Sequence, residues 1–178
     1  FQSAYPSFNY LVNTSHYLDY NYNLQNPNNE VVTQIGGTVR LAKWFDTRVF
    51  VDFFKIDNYT YFDNASKPQQ IASSLNISQI GGESTVKYGK FNLNGKVLFQ
   101  KALSNQALLP MPDFIGRINL FYQAPAFKKA AEIQAGIKLY YFTKFDSREY
   151  SPILNEYILP GINAYSIGGQ PIADIYIN

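Results

Sequence analysis

Seven charged residues stand singly inside stretches that otherwise alternate between apolar and polar: Arg40, Arg48, Asp52, Lys96, Arg117, Lys138 and Asp174. On one wall of a water-filled passage, such side chains act on ions through their field, and a mainly positive lining lowers the barrier for anions. The bland role is pairing with carboxylates on other strands to hold the wall together. Nucleophilic chemistry has little support. His16 is the single histidine, with Ser15 beside it. Strand neighbours point to opposite faces, and the sequence has no Gly-x-Ser-x-Gly elbow. The Ile-Gly-Gly triplets beginning at Ile35, Ile80 and Ile167 precede no helix pattern, which argues against phosphate cradles. On strands such glycines read as bulges or points of close backbone approach. The absence of cysteine excludes disulfides and thiolate metal sites. The reading is of a protein that is not an enzyme and holds no cofactor or metal.

The segments that carry these charges are strands. In EIQAGIKLYYFTKF (132–145), Ile133, Ala135, Ile137, Leu139 and Tyr141 lie on one face. Gln134, Gly136, Lys138, Tyr140 and Phe142 lie on the other. Similar patterns cover 9–22, 31–42, 46–57, 75–89, 91–100, 113–123 and 171–177. The 75–89 segment changes phase midway, from Leu75 and Ile77 to Ile80, Val86 and Tyr88, which predicts a bulge near Gly81 and Gly82. Most of these strands are longer than the usual five or six residues or so. They suit a tilted crossing of a bilayer, which takes about 9–11 residues.

Composition points the same way. Charged residues are 16% of the chain, against roughly 25% in ordinary soluble domains. Aromatic residues are 17%, led by 15 Tyr and 14 Phe. They gather near strand ends, where girdles at a membrane interface belong. A net charge of +2, unclustered, gives no footprint for nucleic acid. Connections alternate between short (43–45, 88–91, 124–130) and long (23–30, 58–74, 101–112, 146–170). Outer-membrane barrels alternate in this way.

A strand in lipid must satisfy all its backbone polar groups within the sheet, which demands a closed barrel. The predicted fold is therefore all-β: an antiparallel up-and-down transmembrane β-barrel with about eight long strands, one unit over 1–178. Ile133, Ala135, Ile137 and Leu139 would face lipid, and Gln134 and Lys138 the lumen. Lys55 and Asp57 break the pattern of their strand and read as lying beyond the bilayer edge. The soluble alternative is a ligand-binding β-barrel with the apolar rows turned inward.

The chain also resembles a known family, the Bacteroidota outer-membrane barrels called putative porins. The likeness is carried by KWFDTRVFVDFFKIDNYTYF (43–62), VKYGKFNLNGKVLFQ (86–100), residues 114–157 and GGQPIADIYIN (168–178). It implies a Gram-negative outer membrane, a channel for passive diffusion of small solutes and no catalytic residues. Family members are longer, and Asn178 is not the terminal aromatic of such barrels. The expectation is a segment from the later part of a larger barrel, since about 16 strands are needed for an aqueous channel. Two further partners are expected: the lipid bilayer, and a protein at the 146–170 loop. The other functional reading is a structural or partner-binding barrel within a larger outer-membrane complex.

Overall fold

The computed structural model of the protein describes residues 1–11, 13–15, 20–41, 45–162 and 164–178. Eight strands form one antiparallel sheet, numbered here in chain order. They are β1 (Gln2–Ala4), β2 (Glu30–Leu41), β3 (Asp46–Asp57), β4 (Leu75–Tyr88), β5 (Phe91–Ala102), β6 (Phe114–Ala126), β7 (Ala131–Phe142) and β8 (Ile172–Ile177). Each pairs with its neighbour in sequence, an up-and-down meander whose first and last strands are not paired with each other. The six central strands run 12 to 14 residues, longer than the roughly 9–11 that a tilted bilayer crossing takes, so each can span a bilayer and extend past its edge.

Alternation sets the two faces, and the register locks them across the sheet. Ile118 lies opposite Leu139, and Leu120 opposite Ile137. Val39 lies opposite Val49, and Ile35 opposite Phe53. These apolar rows do not meet one another in a dry interior: Ile35 is 70% exposed, Ile137 45% and Leu139 43%. The inward-turned core that a soluble barrel requires is not built from them.

Aromatic rings on the apolar face gather at two heights. Phe91 and Tyr122 meet edge to face near the short turns. Phe99, Phe114 and Tyr141 form a chain of contacts near the long loops. Phe91 and Phe99 are separated by eight residues of β5, roughly 26 Å of strand. That is close to the roughly 25 Å apolar band of outer-membrane barrels.

Short connections join β4 to β5 and β6 to β7 at one end of the sheet, where β2 ends at Leu41 and β3 begins at Asp46. Gly89, at φ +60°, takes the left-handed conformation that the tight β4–β5 turn needs. Long loops occupy the other end, and they are folded. Glu149–Ser151 pairs with Glu156–Ile158, which pairs in parallel with Thr60–Phe62, which pairs with Pro68–Gln70. Phe62, Leu154 and Ile158 are buried in this cap, and Tyr10 stacks on Phe62 at 4.6 Å. Arg148 ties three loops together, donating to Tyr59 Oη at 2.7 Å and to the Leu108 carbonyl at 2.9 Å.

Two sequence expectations change. The 9–22 stretch is not a wall strand. Phe8–Leu11 is helical, and among the described residues Asn13–Ser15 pairs with Tyr20–Tyr22 alone. Its alternation is weak, and Tyr10 is drawn into the cap; the eighth place in the sheet goes to Gln2–Ala4. The bulge at Gly81–Gly82 is absent, since β4 pairs with β3 and β5 without a break in register. The phase change has another cause. Leu75 and Ile77 lie on the polar face at the loop end, where they are buried with Ala102. Apolar side chains point inward there because that end of the face is dry. Within the 146–170 loop, the candidate partner site, Glu149–Ser151 and Glu156–Ile158 belong to the folded cap.

Candidate functional site

All seven charges predicted from the sequence lie on the polar face. Arg40, Arg48, Glu83, Lys96 and Arg117 are consecutive cross-strand partners on β2 to β6, so they form one lateral row. Asp52 lies on the same face of β3, four residues nearer the loops. Lys138 is opposite Asp174 on β8 and Asn119 on β6, two residues from Arg117 towards the short turns. Strands sit about 4.8 Å apart, so the five-strand row spans roughly 19 Å of wall.

Within the row, Arg48 Nε is 3.0 Å from Glu83 Oε1. That nitrogen is buried and has no hydrogen-bond partner among the described residues, so the contact is coulombic rather than a bond in line. Arg40 Nε approaches Asp46 at 3.7 Å, both well exposed. Arg117 donates to Asn94 Oδ1 at 3.1 Å, and Asn94 to Thr85 Oγ1 at 2.9 Å. Lys138 does not pair with Asp174. Its ammonium lies 4.5 Å from the centroid of the Tyr176 ring, and Tyr176 donates to Asn119 Oδ1 at 2.9 Å.

The register adds charges that the sequence reading did not select. Asp46, Glu83, Glu132 and Lys87 share the polar face with the seven. The face as a whole is therefore near neutrality. Its positive excess is concentrated in the lateral row, with four cations to one carboxylate. Glu83 was accessible to the sequence reading: Ile80, Val86 and Tyr88 set the apolar side of β4, and alternation then puts Glu83 on the other.

Four residues towards the loops lies a second row, of acids and amides. Asp52, Gln79 and Gln100 are cross-strand partners, and the Gln100 amide donates to the Asp113 carbonyl. Gln34 donates to Asp52 Oδ1 at 2.9 Å, and Gln79 to Gln100 at 3.1 Å. Asp113 precedes β6 and escapes strand patterning. Beyond it, a cavity of about 730 Å³ opens between the strand ends and the loops, lined among others by Tyr61, Phe145, Asp63, Asp113, Asp146 and Lys101.

Of the Ile-Gly-Gly glycines, Gly36 admits the close backbone approach anticipated, whereas Gly81 makes room for a side chain. An added Cβ at Gly36 would stand 2.8 Å from the Val51 carbonyl oxygen and would clash with the Asp52 carboxylate, and one at Gly81 would clash with the Phe50 ring. Lys55 and Asp57 fall on the apolar face of β3, at its loop end, and bond each other at 2.9 Å. His16, and Trp44 among the strand-end aromatics, lie outside the described residues. Among the described residues no group of acidic or imidazole side chains could hold a metal.

Burial in the cap, reinforced by the nearby Tyr59 and Glu156, pushes the Tyr10 phenol up to about 12. The neutral ring is thus the form the folded cap favours. That contribution is complete below the ordinary tyrosine pKa of 10.0 and is lost as pH rises from there towards 12. Proteolysis within 146–162 should stay slow to pH 10 and accelerate between 10 and 12. Tyr10→Phe should make that acceleration shallower. An identical profile in the variant would mean that Tyr10 does not govern the cap.

A search of curated proteins finds no match to the chain. A protein-family model does match, from residue 1 to residue 178, and its description is "Putative porin". With an antiparallel wall that separates an apolar face from a polar one, and a family match over every residue, the chain belongs to the putative porin family.

Proposed function

We propose that the protein is an outer-membrane channel for passive diffusion of small solutes, with its polar face lining the water-filled passage. One observation carries this reading: the seven predicted charges share the face opposite the exposed apolar rows. Acyl chains would cover Ile35, Val51, Ile118, Ile137 and Leu139, and water the row of Arg40, Arg48, Lys96 and Arg117. Fields act over roughly 8 Å at physiological salt, so a local row governs ions more than the net charge of the wall does. The channel is therefore a weak anion selector.

The full-length protein in a planar bilayer tests this. Stepwise conductance is expected, with a reversal potential in a salt gradient that favours chloride. Lys96→Glu combined with Arg117→Glu should turn the preference towards potassium. Cation preference in the native channel would defeat anion selection. A sealed barrel would defeat the channel itself.

A second reading has its own observation. Tyr150 and Tyr157 meet edge to face on the cap, each more than half exposed. Exposed aromatic pairs suit protein contact, so the 146–170 region could serve as a docking point within an outer-membrane complex. A sealed barrel that co-purifies with a partner, and loses it on Tyr150→Ser with Tyr157→Ser, would favour this reading.

A further inference from the structure

The acid–amide row and the basic row lie on the same face of the same strands, at a fixed separation. On β6 and the residue before it, Asp113 and Arg117 are four residues apart, which is about 13 Å of strand. Asp52 and Arg48 repeat the spacing on β3. The acidic row adjoins the loop cavity, whose lining includes Asp63, Asp113 and Asp146, a single lysine, Lys101, and the rings of Tyr61 and Phe145. Asp63 is engaged by the backbone amides of Ala65 and Lys67. Asp113 and Asp146 show no side-chain partner among the described hydrogen bonds and ion pairs.

We propose that this face binds short, extended peptides with free termini, the ammonium end at Asp113 and the cavity and the carboxylate end at Lys96 and Arg117. The proposal rests on the channel reading and names its solute class. The sign order favours a zwitterion over a simple anion, because only a zwitterion meets an opposite charge at both stations. The spacing selects length. A free amino acid carries both charges on one carbon and cannot touch both stations. An extended chain advances at most about 3.3–3.6 Å per residue, so three or four residues reach across. The Gln79 and Gln100 amides of the acidic row offer donors and acceptors to the first peptide groups, and Phe50, Leu98 and Ile115, between the rows, offer apolar surface to side chains. Arg117 is suited to the carboxylate because its planar fork can give two parallel bonds.

Tetra-alanine is the probe, compared with its N-acetylated and C-amidated forms and with free alanine. Binding is read by calorimetry on the detergent-solubilised full-length protein, and current block in planar bilayers. Free tetra-alanine should bind about tenfold more tightly than either capped form, the loss of one charged contact, and should block current where alanine does not. Asp113→Asn should erase the distinction between free and acetylated peptide while keeping that between free and amidated; Arg117→Gln should do the converse. These paired outcomes survive a general loss of affinity in either variant. Equal binding of all four probes, or none, overturns the proposal. Conductance with no peptide discrimination sinks the peptide reading alone. Discrimination by a sealed barrel sinks the channel reading and leaves peptide binding standing.

Discussion

Ile137→Arg lowers the stability of the membrane-inserted barrel by about 2–4 kcal/mol, the cost of a cationic side chain on the lipid face near the bilayer midplane. Ile137 lies on β7 between the two aromatic heights, beside Leu120 of β6 and Ile175 of β8. An arginine there must carry its charge into hydrocarbon or bend away to the interface. Gln134→Arg, on the other face of the same strand, should change stability by no more than about 1 kcal/mol if water fills that side. Urea unfolding of the full-length protein in bilayers, followed by heat-modifiable migration in gels, measures both. In a water-soluble sheet, Ile137 would be a partly exposed surface position, and its substitution would cost within about 0.5 kcal/mol. Equal effects at 134 and 137 would mean that the apolar face does not meet lipid.

The contrast between these faces was legible because it depends on alternation alone. Once Ile133 to Tyr141 alternate, the side of Lys138 follows, and the same holds for Arg40, Arg48, Lys96, Arg117 and Asp174. Antiparallel pairing carries one face faithfully from strand to strand, so predictions made separately on six strands converge on one wall. Two kinds of information were hidden. Lateral rows depend on register, which the turn lengths set and no single strand reveals; Arg48, Glu83 and Lys96 become neighbours only through it. Loop structure is the other. Thr60–Phe62 pairs with Glu156–Ile158, almost a hundred residues away, through three-residue strands too short for any periodicity. That cap also explains why Leu75 and Ile77 mislead: their apolar side chains answer to buried loops rather than to the wall. The 9–22 stretch fails for a related reason, since its Tyr10 serves the cap and its mixed polar spacing never committed it to one face.

Gly136→Val should cost about 2–4 kcal/mol, combining overpacking with the loss of one hydrogen bond. A Cβ at Gly136 would stand 2.6 Å from Phe121 Cβ, 2.7 Å from the Leu120 carbonyl oxygen and 2.9 Å from Tyr176 Oη. The first two belong to the β6 backbone and its first side-chain atom and cannot swing aside. Tyr176 can move, but its hydroxyl bonds Asn119 and its ring lies beneath the Lys138 ammonium. The added side chain would therefore press β6 away from β7 while dislodging the side chain that ties β8 to β6. Gly95 is the internal comparison. It lies on the apolar face opposite Ile118, and a Cβ there meets no heavy atom within 4 Å. Gly95→Val should be neutral or stabilising, because a β-branched side chain suits a strand and adds apolar surface on the side assigned to lipid. Tyr176→Phe separates the two components of the Gly136 effect, since it removes the hydroxyl bond and keeps the ring, and should cost only about 1 kcal/mol. A Gly136→Val barrel as stable as the Gly95→Val barrel would show that β6, β7 and β8 are not held together at this crossing, and that Tyr176 is free to leave the polar face.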